Sequence, residues 1–340
     1  MTKANSPAAP KFFLLSHPRT CSNLLLHILS LDKHENIHPA PNGGYFFMNA
    51  FIESVKLGAE RGHVDTLSKD EAAQLKKAYQ ACFDEMQKHI SEARPLGRAV
   101  FVKEHIFFML NPVAKTNFLF PQQGTTQPPW TVDIPGHDRS THSPANKTLL
   151  SDEFLQGWKP IFLIRHPAMV FPSFYRATLD IEAQEVTKQK ENLLQLTATM
   201  HWSRTLYDWY AAQNNHDPGT QWPIVLEADD IMGEPAMLVR FCEIVGLDPS
   251  RLRFTWSPAN ERERENLTST TQRMKSTLLA SSGVMTGKSA GNLDIEVEAR
   301  KWRQEFGKIQ GAKMEEYVRA AMPDYEYLKA RRLRPKFAES

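Results

Sequence analysis

The chain is 340 residues long and 41% hydrophobic, enough for a substantial core, and its 41 Lys and Arg against 39 Asp and Glu leave a formal charge of only +2. That near balance excludes the strongly basic composition of nucleic-acid and membrane-surface proteins, so any anion site has to be local. Three widely spaced cysteines, Cys21, Cys82 and Cys242, exclude a disulfide framework or a cysteine zinc site, and no stretch approaches the roughly 20 apolar residues of a membrane span.

Residues 1–10 read as a tail without the apolar segment of a signal peptide, which predicts a cytoplasmic protein. Phe12 to Leu15 then reads as a buried strand, Ser16 to Asn23 as a polar turn and Leu24 to Leu31 as a helix. In that order the first helical amides, around Thr20 to Asn23, point at whatever anion sits above the turn, and Arg19 adds a permanent charge. A turn-rich stretch from His38 to Gly44 leads into the aromatic run Tyr45, Phe46 and Phe47. The spacing of apolar residues then predicts a helix over Lys69 to Ala93, capped by Ser68.

Pro95 and Gly97 break the chain before a second strand, Ala99 to Val102. Lys103, Glu104 and His105 follow directly, and alternation along an extended segment puts Lys103 and His105 on one side and Glu104 on the other. Residues 111–148 show no sustained period. A loop of that length is more often functional than idle, and Phe118, Phe120 and Trp130 suit a lid or an acceptor wall. The third strand, Ile161 to Ile164, ends at Arg165-His166-Pro167 and a helix-like run carrying Ser173, Tyr175 and Arg176.

A long helix is predicted over Glu191 to Gln213, a fourth strand over Ile224 to Leu226, an acidic turn at Asp229 and Asp230, and an amphipathic helix over Ala236 to Gly246. Trp202, Trp209 and Phe241 read as core, Glu261 to Glu265 as a solvated face, and residues 331–340, with Arg331, Arg332 and Arg334, as a basic tail. Asn146 and Asn266 each open a glycosylation pattern. Gly283 to Ser289 falls one residue short of a Walker A loop and has no strand before it, which argues against ATPase chemistry. Strands alternating with helices predict one α/β domain over residues 11–330, with a central, mostly parallel sheet and helices on both faces; ligands bind such sheets outside the carboxyl ends of the strands.

The strand followed by Pro18-Arg19-Thr20-x-Ser22 resembles the phosphosulfate-binding loop of the sulfotransferases, P-loop enzymes that use 3′-phosphoadenosine 5′-phosphosulfate (PAPS). Arg165 with Ser173 eight positions later matches the family's 3′-phosphate motif, and the stretch from Trp222 to Gly246 resembles its late strand, acidic turn and helix. The likeness covers residues 11–250 and continues, more weakly, from Trp302 to Tyr327. It implies a P-loop architecture and a PAPS site formed by Arg19, Thr20, Cys21, Ser22, Asn23, Arg165, Ser173 and, on a basic loop, Lys288.

Lys103-x-His105 resembles the Lys-x-His of cytosolic sulfotransferases, which implies that His105 is the general base and that Lys103 and Arg19 meet the charge of the leaving group. The family needs no metal for this step. Two departures stand out: in the loop, Cys21 occupies the usual glycine position and Asn23 a place where a hydroxyl residue is common, and Ala228 takes the place of the ring that stacks on adenine. Glu104 is the competing base. The resemblance implies sulfuryl transfer to a hydroxyl, or less often an amine, of a partly apolar small molecule, with no nucleic-acid or membrane partner. A non-catalytic nucleotide-binding or scaffold protein that kept the fold is the alternative.

Overall fold

A computed structural model describes residues 9–59, 62–134, 141–181, 187–213 and 221–335. Five strands, β1 (Lys11–Ser16), β2 (Ile37–His38), β3 (Ala99–His105), β4 (Lys159–Ile164) and β5 (Ile224–Glu227), form one parallel sheet in the order β2-β3-β1-β4-β5. β1 is buried from Phe12 and β4 from Pro160, the continuous apolar pattern of parallel strands. All four expected strands are present. β2 is an addition, two residues long and therefore too short to show a period; Ile37 pairs with Ala99 of β3.

β3 runs three residues further than expected, so Lys103, Glu104 and His105 lie inside the strand, fully buried, and not after it. Among the helices, α1 (Ser22–Leu29) starts two residues earlier than its apolar run and stops at Ser30, whose φ of 47° is left-handed. Next come α2 (Met48–Lys56) and α3 (Lys69–Ala93). α3 keeps its expected bounds because its start is written locally: the Ser68 hydroxyl accepts from the Glu71 amide and the Glu71 carboxylate accepts from the Ser68 amide.

The supposed loop 111–148 contains α4 (Pro112–Leu119), a helix too short for a periodic signal, whose first turn is capped by the Asn111 side chain and opened by Pro112. Trp130 is buried, with the Lys76 ammonium of α3 4.7 Å from its ring, which is core packing. Asn146 is buried too and donates to Leu150 O and Asp152 Oδ1, so its glycosylation pattern is inaccessible in the folded chain.

The helix expected over Glu191 to Gln213 is two helices, Thr187–Thr197 and His201–Gln213. Threonine hydroxyls compete with the helical ladder there: Thr197 Oγ1 donates to Leu193 O, and Thr199 Oγ1 accepts from the His201 amide. The remaining expected helix is found at Pro235–Val245, ending on Gly246 at φ 73°. Trp202, Trp209 and Phe241 are buried as expected, and so are Cys82 and Cys242. Among the described residues, no helix is long and apolar enough to cross a membrane.

The chain divides into two compact units of discontinuous segments. The first comprises residues up to Leu15, Leu31–Ile161 and Leu206–Pro223; the second comprises Ser16–Ser30, Phe162–Thr205 and the chain from Ile224. In the first, the His38 ring of β2 lies tilted against His89 of α3, and burial, with His38 beside it, pushes the His89 imidazole down to about 4. In the second, helices Ile295–Phe306 and Lys308–Ala330 cross at Gly311, where a Cβ would come within 2.5 Å of the Arg303 backbone.

The basic segment read as a tail is engaged at its start. Arg332 Nε donates to Asp230 Oδ2 at 2.6 Å, the Leu333 amide donates to Val225 O at 2.8 Å, and the Arg334 carbonyl accepts from Arg240. Residues 336–340 lie outside the described residues.

Candidate active site

In the second unit the chain turns from the end of β1 into α1 through five residues. Arg19 and Cys21 take left-handed backbone angles, φ 69° and 67°, while Thr20 between them does not. Alternating handedness aims successive amides at one side, a concavity suited to anions. The first helical bond of α1 runs from the Leu25 amide to Cys21 O, so the amides ahead of it have no acceptor within the helix. Below the turn, Thr20 Oγ1 donates to His17 O at 2.6 Å. The buried His17 ring sits between the carbonyls of Pro18 and Thr197, which makes it a spacer, as a turn residue should be.

Cys21 thus adopts a left-handed backbone that glycine takes without strain. Burial pushes its thiol above the ordinary range, against the opposing pull of the Arg165 and Arg19 charges. A non-glycine residue in this region costs about 1–2 kcal/mol, and the added chain entropy of glycine about 0.5–1 kcal/mol. Cys21→Gly is therefore expected to raise the unfolding free energy by roughly 0.5–1 kcal/mol in a urea titration. A fall would mean that packing of the thiol outweighs backbone strain.

Above the turn the structure brings together Arg19, Arg165, Ser173 and Lys288. Arg165 follows the carboxyl end of β4, and Ser173 lies on α5 (Pro167–Ile181). Arg19 Nε donates to Ser173 Oγ at 3.0 Å and its Nη1 to Met274 O at 2.6 Å. Arg165 reaches Arg19 O at 3.1 Å and Lys288 O at 2.7 Å. Burial and nearby Arg273 push the Arg19 guanidinium below its ordinary value, though it remains a cation.

Every acceptor these two guanidiniums reach is neutral. Among the described residues neither has a carboxylate within ion-pair distance, and the buried Arg165 Nε has no hydrogen-bond partner. Buried cations without a counter-charge are costly, and an anion is what the cluster lacks.

The Lys288 ammonium donates to Thr277 Oγ1 at 3.0 Å, and its loop is anchored by Asp229 Oδ2, which accepts from the amides of Ala290 and Gly291. Asp229 in turn is set by Glu227, whose carboxylate caps the Asp229 amide and accepts from Tyr325 Oη. Burial, followed by the charge of Asp229, pushes Glu227 up to about 7. The sequence marked the acidic turn but not this task, because the loop it holds is 61 positions away.

The first unit holds the other chemistry. Gly44, at φ 97°, lies so close to β3 that a Cβ would come 3.0 Å from the Lys103 amide nitrogen, and that approach lays Tyr45 to Phe47 along the strand. His105 Nε2 pairs with Tyr45 Oη at 2.7 Å, and the Lys103 ammonium sits 4.1 Å from the Tyr45 ring centre. Lys103 and His105 therefore share one side, as alternation requires. Glu104 points the other way, its Oε1 accepting from the Phe46 and Phe47 amides. Phe107 and Phe108, both buried, close around His105, their ring centres 6.1 and 5.2 Å from the imidazole.

Burial pushes Glu104 up to about 8, against the opposing pull of the two amides and Lys103. The folded protein thus holds this proton more tightly than the unfolded chain. The stability it contributes is full below the ordinary value of 4.5 and is lost as pH rises through about 8. Glu104→Gln, which keeps the acceptor oxygen, is expected to flatten the decline of stability between about pH 5 and pH 8, measured by urea titration across that range. An unchanged slope would place the titration elsewhere, with Glu227 the first candidate.

Beside Tyr45 a groove of about 590 Å³ runs between α2 and α3. Tyr45, Phe46, Ala50, Ala78 and Cys82 supply apolar surface, and Glu53, Lys77 and Glu85 supply charge. Its size falls in the usual range of small-molecule sites.

Two curated proteins are similar to the chain along nearly its whole length. Sulfotransferase ppzF of Metarhizium majus (strain ARSEF 297) is 41% identical over 339 residues, covering 97% of this chain and 99% of that protein. Sulfotransferase ppzF of Metarhizium rileyi (strain RCEF 4871) is 41% identical over 335 residues, covering 96% and 98%. Among solved structures, the sulfotransferase domain from the Synechococcus PCC 7002 olefin synthase aligns at 16% identity and a TM-score of 0.39, covering 85% of this chain and 90% of that one. The sulfotransferase domain from the curacin biosynthetic pathway aligns at 15% and 0.39, covering 84% and 90%. No family model matches the chain.

Proposed function

The chain belongs to the sulfotransferases, and on that premise we propose that it transfers a sulfuryl group from PAPS to a hydroxyl of a partly apolar small molecule, with His105 as general base. The observation that carries the donor assignment is the pair of guanidiniums, Arg19 and Arg165, gathered over a left-handed turn with neutral acceptors only. PAPS supplies the activated sulfuryl group when bound. The unpartnered Arg165 Nε and the hydroxyl of Ser173 fit its 3′-phosphate, and the amides of the Arg19–Asn23 turn fit the phosphosulfate end. Lys288 adds charge from a loop already tied to Arg165.

On the acceptor side, His105 Nε2 takes the acceptor proton as the new oxygen–sulfur bond forms. Tyr45 Oη now fills the place on that nitrogen where a substrate hydroxyl would sit. Arg19 opposes the negative charge that develops on the departing phosphate oxygen. The groove between α2 and α3, apolar with a charged rim, suits an acceptor with an apolar body and polar substituents. The left-handed turn at Cys21 supports donor binding, which a non-catalytic relic would share, so turnover separates the two readings.

Calorimetry with adenosine 3′,5′-bisphosphate against ADP tests the donor, and transfer of label from PAPS to a panel of phenols, alcohols and sugars tests turnover. Preference for the 3′-phosphate with no transfer to any acceptor would support the relic. No preference would remove PAPS.

A further inference from the structure

Away from every residue assigned to sulfuryl transfer, the first unit gathers a second cluster with its own chemistry. His38 ends β2, while His89 and Glu92 stand three residues apart near the end of α3, a spacing that puts both on one helix face. One ligand atom from each of the three lies within 4.8 Å of the other two. His38 Nε2 is 3.8 Å from Glu92 Oε2, and the two imidazole rings are 4.6 Å apart, tilted by 31°.

Buried histidines ordinarily settle their ring nitrogens on carbonyls or hydroxyls. Here His38 Nδ1 and His89 Nε2 are buried with no hydrogen-bond partner among the described residues, and His89 is only 5% exposed. Each of the two neighbouring rings thus keeps one buried nitrogen that hydrogen bonding leaves unfinished. An ion bound by ring nitrogens would complete it.

We propose that His38, His89 and Glu92 form a binding site for a divalent first-row transition ion of the zinc class, with its remaining coordination position open to solvent beside Glu92. Two imidazoles and one carboxylate are a zinc donor set, and three protein ligands leave one position for water. Tetrahedral coordination at zinc bond lengths puts ligand atoms about 3.3 Å apart, so the cluster has to contract by up to about 1.5 Å. Glu92, 53% exposed, has room to make that movement.

A bound ion would pin β2, a two-residue strand at the sheet edge, to the longest helix of the unit. It would also sit against Phe46, whose ring centre is 5.4 Å from that of His89 and whose amide donates to Glu104. The site would therefore stiffen the loop that carries Tyr45.

The test uses the full-length chain without a histidine tag, stripped by chelator and titrated with zinc chloride by calorimetry and with cobalt chloride by visible absorption. One equivalent is expected to bind, with a rise in melting temperature that chelator reverses. Glu92→Gln changes an exposed position and should weaken zinc by about tenfold or more without loss of fold, and His38→Gln should abolish binding at that stoichiometry. No zinc binding at millimolar concentration would overturn the proposal. So would wild-type affinity in both variants, which would place the ion on other histidines.

Discussion

His105→Ala is expected to lose about 10²- to 10⁴-fold in turnover, the usual cost of removing a positioned base, while its affinity for adenosine 3′,5′-bisphosphate stays near wild type. The structure sharpens the comparison with Glu104. That carboxyl faces away from Lys103 and His105, is held by two backbone amides, and keeps its proton to about pH 8. Glu104→Gln should accordingly remain active. A dead Glu104→Gln that still folds, beside an active His105→Ala, would reverse the assignment of the base. Tyr45→Phe separates a further possibility: if the phenol only fills the place of the absent acceptor, its loss leaves turnover standing.

Arg165→Ala should remove charge-assisted hydrogen bonds worth roughly 1.5–3 kcal/mol and weaken the bisphosphate by about tenfold or more. Adenosine 5′-phosphosulfate, which has no 3′-phosphate, should lose little. The contrast between the two ligands matters because Arg165 also ties the Arg19 turn to the Lys288 loop. A purely architectural arginine would weaken both ligands equally when removed, and that result would take the 3′-phosphate away from Arg165. Arg19, on the same turn, touches Ser173 and Met274 directly.

What could be read in the amino-acid order was what is encoded nearby in the chain. The Ser68–Glu71 box fixes the start of α3 within four residues, and the apolar runs of β1 and β4 declare themselves as strands. Arg19, Arg165 and Ser173 were legible because each lies at a strand end or on the helix that follows. The hydrogen bond from Tyr45 to His105 was not, since 60 positions separate the two and the close approach at Gly44 has no periodic signature. β2 exists only because β3 offers it a partner. The break at 198–200 depends on hydroxyls that turn inward to the backbone, a choice that helical spacing alone cannot reveal. Lys103, expected beyond the strand, is instead one of the most buried side chains in the chain.

The segment around Arg332 has a bearing on how copies of this protein behave toward one another. β5 is the outermost strand at its side of the sheet, where an open row of amides and carbonyls would invite a strand from a neighbouring molecule. The bridge from Val225 to Arg332, with the Leu333 amide on the Val225 carbonyl, covers part of that row with the chain's own backbone, and the Arg332–Asp230 pair fastens the cover. A few residues that look like solubilising charge thus occupy part of an edge that is otherwise open to strand pairing, and a chain cut before Arg332 is expected to scatter more light than the full chain at equal concentration.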